Sequence, residues 1–191
     1  NITITLNLTG SSANLATIIS TASASQAITV NDTSTVANAV SILTNASGTI
    51  TMNSGLTDSL SALNSANLNT IVGKKGDIVI NINDAASSTL DPDDLQTVGG
   101  KTTGDVKLTN ACTISGTAAN MLAALDTAST KVLLQSGNTD LIITDATTGA
   151  NLSTILGTSN VGDCEIRATS TIANATTLTI ASGQTLTLGN S

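Results

Sequence analysis

Apolar and polar positions alternate over short stretches that return along the whole chain: an aliphatic residue, any residue, a second aliphatic residue, then usually an amide or hydroxyl residue. The pattern stands at Ile4-Thr5-Leu6-Asn7, Ile28-Thr29-Val30-Asn31, Ile50-Thr51-Met52-Asn53, Ile78-Val79-Ile80-Asn81, Val106-Lys107-Leu108-Thr109 and Val132-Leu133-Leu134-Gln135, with Cys164-Glu165-Ile166-Arg167 as a weaker seventh copy. A period of two turns successive side chains to opposite faces, so each run predicts a strand with one aliphatic face. The starts lie 24, 22, 28, 28, 26 and 32 residues apart, the spacing of repeat architectures.

A second landmark follows most strands: a small or acidic residue, then Asn or Asp, then an aliphatic residue. It reads Ala13-Asn14-Leu15, Ala37-Asn38-Ala39, Ala66-Asn67-Leu68, Asp93-Asp94-Leu95, Ala119-Asn120-Met121 and Ala150-Asn151-Leu152. Apolar residues then recur at helical spacing, as in Leu15, Ile18 and Ile19, or Met121, Leu122 and Leu125, which predicts one short helix per repeat. Ser11, Ser12, Ser61, Thr89 and Thr117 precede these segments as N-caps, and Gly48, Gly73, Gly104 and Gly157 follow as stops.

A unit this small cannot bury its apolar face alone and must stack on its neighbours. The expected fold is therefore a solenoid of strand-turn-helix coils with a parallel β-sheet, about six coils over residues 1–163, closed by an all-β cap over 164–191 within a single continuous domain. The cap is read from Thr177-Leu178-Thr179-Ile180 and Thr185-Leu186-Thr187-Leu188, two alternating runs joined across Ala181-Ser182-Gly183-Gln184.

Composition narrows the function classes. Of 191 residues none is Phe, Trp, Tyr or His, Pro92 is the sole proline, and 10% are charged, against about 25% in ordinary soluble domains. With 40% apolar residues the chain can form a core, but an aliphatic one, suited to a thin stack. A net charge of −7 and six scattered cations argue against nucleic acid, whose phosphates need clustered Lys and Arg. No apolar run reaches the length of a membrane span. Catalysis lacks its usual groups: no His, a single Glu and no Gly-x-Ser-x-Gly elbow, so a non-enzyme is expected. The start at Asn1 without Met fits an exported product whose leader has been removed.

Asp77, Asp105 and Asp163 each follow a glycine and precede an inward position. Stacked, they form either a carboxylate column relieved by calcium or a set of turn caps for backbone amides. Asp91, Asp93 and Asp94 make the densest acidic run, a second calcium candidate that an Asp-Pro helix start also explains. Cys112 and Cys164 are an even pair. They stand two coils apart, roughly 10 Å, beyond the reach of about 7 Å between bonded Cα atoms. Either they are free buried thiols, or the chain between them departs from the stack; the 32-residue interval and the extra run Leu141-Ile142-Ile143 favour the departure and a disulfide stapling the cap. Ile2, Ile4, Leu6 and Leu8 alternate without a leading helix and are either the first coil of this chain or an assembly strand that completes a neighbouring sheet.

The Ala-Asn-Leu helices and the closing Ala-Ser-Gly-Gln-Thr-Leu-Thr-Leu resemble the repeats of large bacterial surface proteins, adhesins and surface-layer-like proteins. The strand pattern is also a loose relative of leucine-rich repeats, whose Leu-x-x-Leu-x-Leu-x-x-Asn frame is not kept. The first resemblance implies export, assembly at the cell surface and calcium. The expected function is then an extracellular subunit or fragment of a surface layer, fibre or filament, with copies of itself or other surface proteins as partners. The alternative is an adhesin-type or ice-binding module, taking glycan or ice on Thr3, Thr5, Thr29, Thr51, Thr177, Thr179, Thr185 and Thr187. The irregular period and the loss of Thr at Val79, Lys107 and Leu133 count against ice.

Overall fold

The computed structural model describes residues 7–21, 24–135, 139–170 and 177–189. The chain runs β1 (Leu8–Gly10), α1 (Ser12–Thr21), β2 (Ile28–Val30), α2 (Val36–Asn45), β3 (Ile50–Met52), β4 (Leu56–Asp58), α3 (Leu60–Leu63) and α4 (Ala66–Lys74). It continues as β5 (Ile80–Ile82), β6 (Thr89–Leu90), α5 (Pro92–Gly99), β7 (Val106–Leu108), β8 (Thr113–Gly116), α6 (Ala118–Leu125) and α7 (Thr127–Thr130). The last elements are β9 (Val132–Leu133), β10 (Thr139–Ile143), α8 (Gly149–Leu156), β11 (Val161–Ile166) and β12 (Leu186–Leu188).

The expected solenoid with one parallel sheet and an all-β cap does not hold. The protein is α/β, with eight helices among the described residues and three parallel sheets: β1-β2-β3, β4-β5-β7-β9 and β12-β11-β10-β8-β6. The single-strand repeat fails because the chain turns a corner inside the repeat and makes a second strand before its helix. Asn53 and Ser54 turn from β3 into Gly55, whose φ of +71° favours glycine, and β4 leaves in a different sheet from β3. Ser87 (φ 66°) plays the same part between β5 and β6. The cap fails because β11 and β12 are members of the five-stranded sheet, whose earlier strands are linked by helices, and the 163/164 boundary falls inside β11. Residues 177–180 form no strand, and β12 lies parallel to β11 rather than in a hairpin.

Register explains the packing. Leu56, Ile80, Val106 and Val132 stand in one row across β4, β5, β7 and β9, and all are almost wholly buried. Leu90, Ile114, Leu141 and Cys164 form a second row across β6, β8, β10 and β11. Ile28 aligns with Ile50, and Val30 with Met52. Each fully buried aliphatic side chain stabilises the fold by about 1.5–3 kcal/mol, and narrow β-branched residues let parallel strands stack without gaps. Helices contribute Leu15 and Ile19, Ile42 and Leu43, Leu68 and Ile71, Leu95 and Val98, Met121 and Ala124, and Leu152 and Ile155; of the residues expected in this stripe, Ile18 is exposed and Leu122 is only partly buried.

Local caps differ in part from expectation. Thr117 accepts from the Asn120 N–H, while Ser61 lies inside α3, Ser65 rather than Ser61 stands at the N-cap of α4, and Asp91 rather than Thr89 caps α5. Gly157 ends α8, whereas Gly73 lies inside α4.

Candidate functional site

Three outward columns define the surface of the sheets. Thr9, Thr29 and Thr51 stand side by side across β1, β2 and β3. The middle sheet presents Thr57, Asn81, Lys107 and Leu133. The five-stranded sheet presents Ser115, Ile142, Glu165 and Thr187. The threonine column is therefore three residues long: it takes Thr9 in place of the predicted Thr5, and it gives way to amide, lysine and leucine on the neighbouring sheet. Thr187 lies on β12 of the five-stranded sheet, with Thr185 just before that strand, and Thr3 and Thr5 lie outside the described residues.

The strongest surface feature is the edge strand β12, which pairs only with β11 among the described residues. The Cys164 N–H donates to the Thr185 carbonyl and the Gly189 N–H to the Ile166 carbonyl. In a strand the backbone groups of alternate residues point to opposite sides, so Leu186 and Leu188 turn their N–H and C=O groups outward. Leu188 aligns with Ile166, yet Leu188 is 58% exposed and Ile166 0%. A core-facing leucine row thus reaches the sheet edge uncovered. Ile180 is exposed near this end of the sequence and Leu178 is half-buried against the core. Of the predicted assembly strand, Leu8 belongs to β1, while Ile2, Ile4 and Leu6 lie outside the described residues.

The calcium candidates are dispersed. Lys75 hydrogen-bonds Asp77 at 2.8 Å and, with its charge, holds that carboxyl below the usual carboxylate range. Asp105 pairs with Lys107 at 3.2 Å. The Asp163 carboxylate accepts from the Thr185 N–H at 2.7 Å, and Asp140 accepts from the Asp163 N–H at 2.8 Å. These two carboxylates border a polar cleft of about 410 Å³ with Asn160 and Gln184. Asp91 caps its own helix through the Asp93 N–H, and Asp94 accepts from Asn64 at 2.6 Å. Asp93 lies in the first turn of α5. Among the described residues no three His, Cys, Asp or Glu are grouped to hold a metal ion.

The expected disulfide is absent: Cys112 and Cys164 are free, buried thiols. Cys112 directly precedes β8, Cys164 stands opposite Leu141, and β10 runs between β8 and β11. Two strand spacings, about 9.6 Å, exceed the disulfide reach of about 7 Å. The long interval holds an inserted strand, so the ladder is not broken. Burial pushes the Cys164 thiol up to about 11, and burial with the nearby Asp84 carboxylate raises Cys112 as well. The thiolate is disfavoured in the fold, so the stabilisation is complete below the unfolded value of about 8.5 and is lost as pH rises toward the folded value. Unfolding midpoints should accordingly fall between about pH 8.5 and 11, less steeply in Cys164→Ala; equal slopes would refute the assignment. A thiol-reactive dye at mildly alkaline pH should find both cysteines only after denaturant is added.

A cleft of about 400 Å³ opens between β9 and the C-terminal end of α8, lined by Leu133, Leu134, Ser153, Thr154 and Asn160 among others. It holds no charged side chain. No helix among the described residues is long and apolar enough to cross a membrane. No family model, curated protein or solved structure matches this chain.

Proposed function

We propose that this chain is an extracellular structural protein, a subunit or fragment of a cell-surface layer, fibre or filament, which assembles by adding strands at its parallel sheet edges. The observation that carries the reading is β12, an edge strand with outward backbone groups at Leu186 and Leu188 and a core-row leucine 58% exposed. Such an edge templates strand addition. β1 is the edge strand at the opposite end of the sequence, in the three-stranded sheet, and the sequence before it alternates through Ile2, Ile4 and Leu6. Two unlike edges that join head to tail make a heterologous contact, which propagates into a fibre when its rotation does not close a ring. The lack of His and aromatic residues suits a scaffold better than catalysis.

Leu188→Pro tests this directly. Proline removes the outward N–H of residue 188 and leaves the bonds to β11 in place. Wild-type protein should form ordered assemblies in negative-stain electron microscopy and heavy species in light scattering, and Leu188→Pro should stay monomeric with an unchanged circular-dichroism spectrum. Monomeric wild type at all concentrations would sink the assembly reading and move the function to recognition on the Thr9-Thr29-Thr51 face.

A further inference from the structure

Four of the eight helices among the described residues, α1, α2, α3 and α6, have their first N–H accepted by a carboxylate from 20 to 27 residues further along the chain. The N–H of Ser12, first residue of α1, donates to Asp32 at 2.7 Å. Val36, first in α2, donates to Asp58 at 3.1 Å. Leu60, first in α3, donates to Asp84 at 2.7 Å, and Ala118, first in α6, donates to Asp145 at 2.7 Å. Just before α8, the Thr147 N–H finds the Ser170 hydroxyl at 3.2 Å. The first N–H groups of a helix have no partner within it, and a carboxylate there also meets the positive end of the helix dipole.

α5 breaks the series in an informative way. It begins with Pro92, which has no N–H to offer, and the residue facing it is Gly116. Gly116 directly precedes the N-cap Thr117, as Asp58 directly precedes the N-cap Ser59. A Cβ on Gly116 would lie 2.4 Å from Pro92 Cγ and 2.8 Å from Cδ, closer than real contacts allow. A carboxylate therefore stands opposite the first N–H of α1, α2, α3 and α6, and a bare backbone stands opposite the proline.

We infer that this pairing is a register lock that keeps strand-and-helix units of similar pattern from joining one unit out of place. Ala-Asn before an aliphatic residue recurs in five of the helical segments, and the strand rows are all aliphatic, so apolar packing discriminates weakly between neighbouring frames. The Pro92–Gly116 pair does discriminate. A slip by one repeat sets an aspartate against the proline ring and leaves a different helix start opposite glycine, with its N–H unsatisfied. Both errors cost folding free energy, which is how a sequence specifies against its own alternatives.

A swap of the pair tests the lock by thermal unfolding. Gly116→Asp should lower Tm by roughly 4–10 °C through overpacking, and Pro92→Ala by roughly 2–6 °C. The double variant should recover at least half of the summed loss, because the new N–H at 92 gains the acceptor present at the other starts. Hydrogen exchange at that amide should be slow in the double variant and fast in Pro92→Ala alone. Additive losses, or an amide equally fast in both, would overturn the inference. Should the Gly116→Asp chains not fold, the inverse swap at α6, Ala118→Pro with Asp145→Gly, decides on the same criterion: each single change destabilising and the pair compensating supports the lock, and additivity refutes it.

Discussion

Gly55→Val is expected to destabilise the protein by about 3–5 kcal/mol, a large share of the roughly 5–15 kcal/mol that a domain has. Two independent effects add. Gly55 holds φ at +71°, and forcing a β-branched residue into that region costs about 1–3 kcal/mol. Its Cβ would also lie 2.2 Å from the Val79 carbonyl oxygen, a backbone atom already accepting the Leu56 N–H at 2.8 Å. Relief requires moving the ladder itself, with an overpacking penalty of about 1–3 kcal/mol. Gly55→Ala should show most of the effect. Urea unfolding must be followed by far-ultraviolet circular dichroism, because the chain has no aromatic residue to report by fluorescence. A Gly55→Val midpoint close to wild type would mean that the corner between β3 and β4 tolerates a side chain, and the account of why the sheets divide there would fail.

The second large effect contrasts two neighbours. Ile80→Asp should abolish the folded state, whereas Asn81→Ser should cost only about 1 kcal/mol. Ile80 is fully buried between Leu56 and Val106. The substitution removes apolar volume worth about 2–5 kcal/mol and adds a carboxylate with no partner, at several kcal/mol more. Asn81 points to the other face, where its amide donates to the Leu56 carbonyl at 3.0 Å and to the Thr57 hydroxyl at 3.4 Å. Soluble expression and the circular-dichroism spectrum separate the two. Equal losses would mean that β5 does not present alternating faces.

Much local structure was legible before the fold was known. The runs beginning at Ile28, Ile50 and Val106 lie on β2, β3 and β7 at the predicted residues, because period-two alternation of β-branched residues reports a strand with one wet face. The helices after Ala-Asn-Leu were legible for the same kind of reason, an apolar stripe at helical spacing. At Ile78 the reading slipped by two, and the strand begins at Ile80, since Ile78, Ile80 and Ile82 satisfy the pattern equally and only pairing with Leu56 and Val106 chooses among them. The second strands β4, β6, β8 and β10 were missed altogether. They are two to five residues long, and in runs such as Leu56-Thr57-Asp58 the alternation is too brief to stand out from a turn.

The candidate sites show the same division. An aspartate can coordinate calcium, pair with lysine or cap an amide, and its sequence neighbours do not say which. Asp77 meets Lys75 two residues away, but Asp163 meets Thr185, and Asp32, Asp58, Asp84 and Asp145 find helix starts 20 to 27 residues back. Cys112 and Cys164 looked joinable because the interval between them is long, and the strand that fills the interval is what holds them apart.

By itself, the sequence determined that this chain builds short strands and short helices in alternation around an aliphatic core, since periodicity and composition act on each segment separately. Tertiary structure alone decided that the strands divide into three sheets, that the cysteines stay reduced and that Leu188 reaches an open edge. Those outcomes depend on which segment lies beside which, and that is decided by contacts such as Gly116 on Pro92, made by residues 24 positions apart.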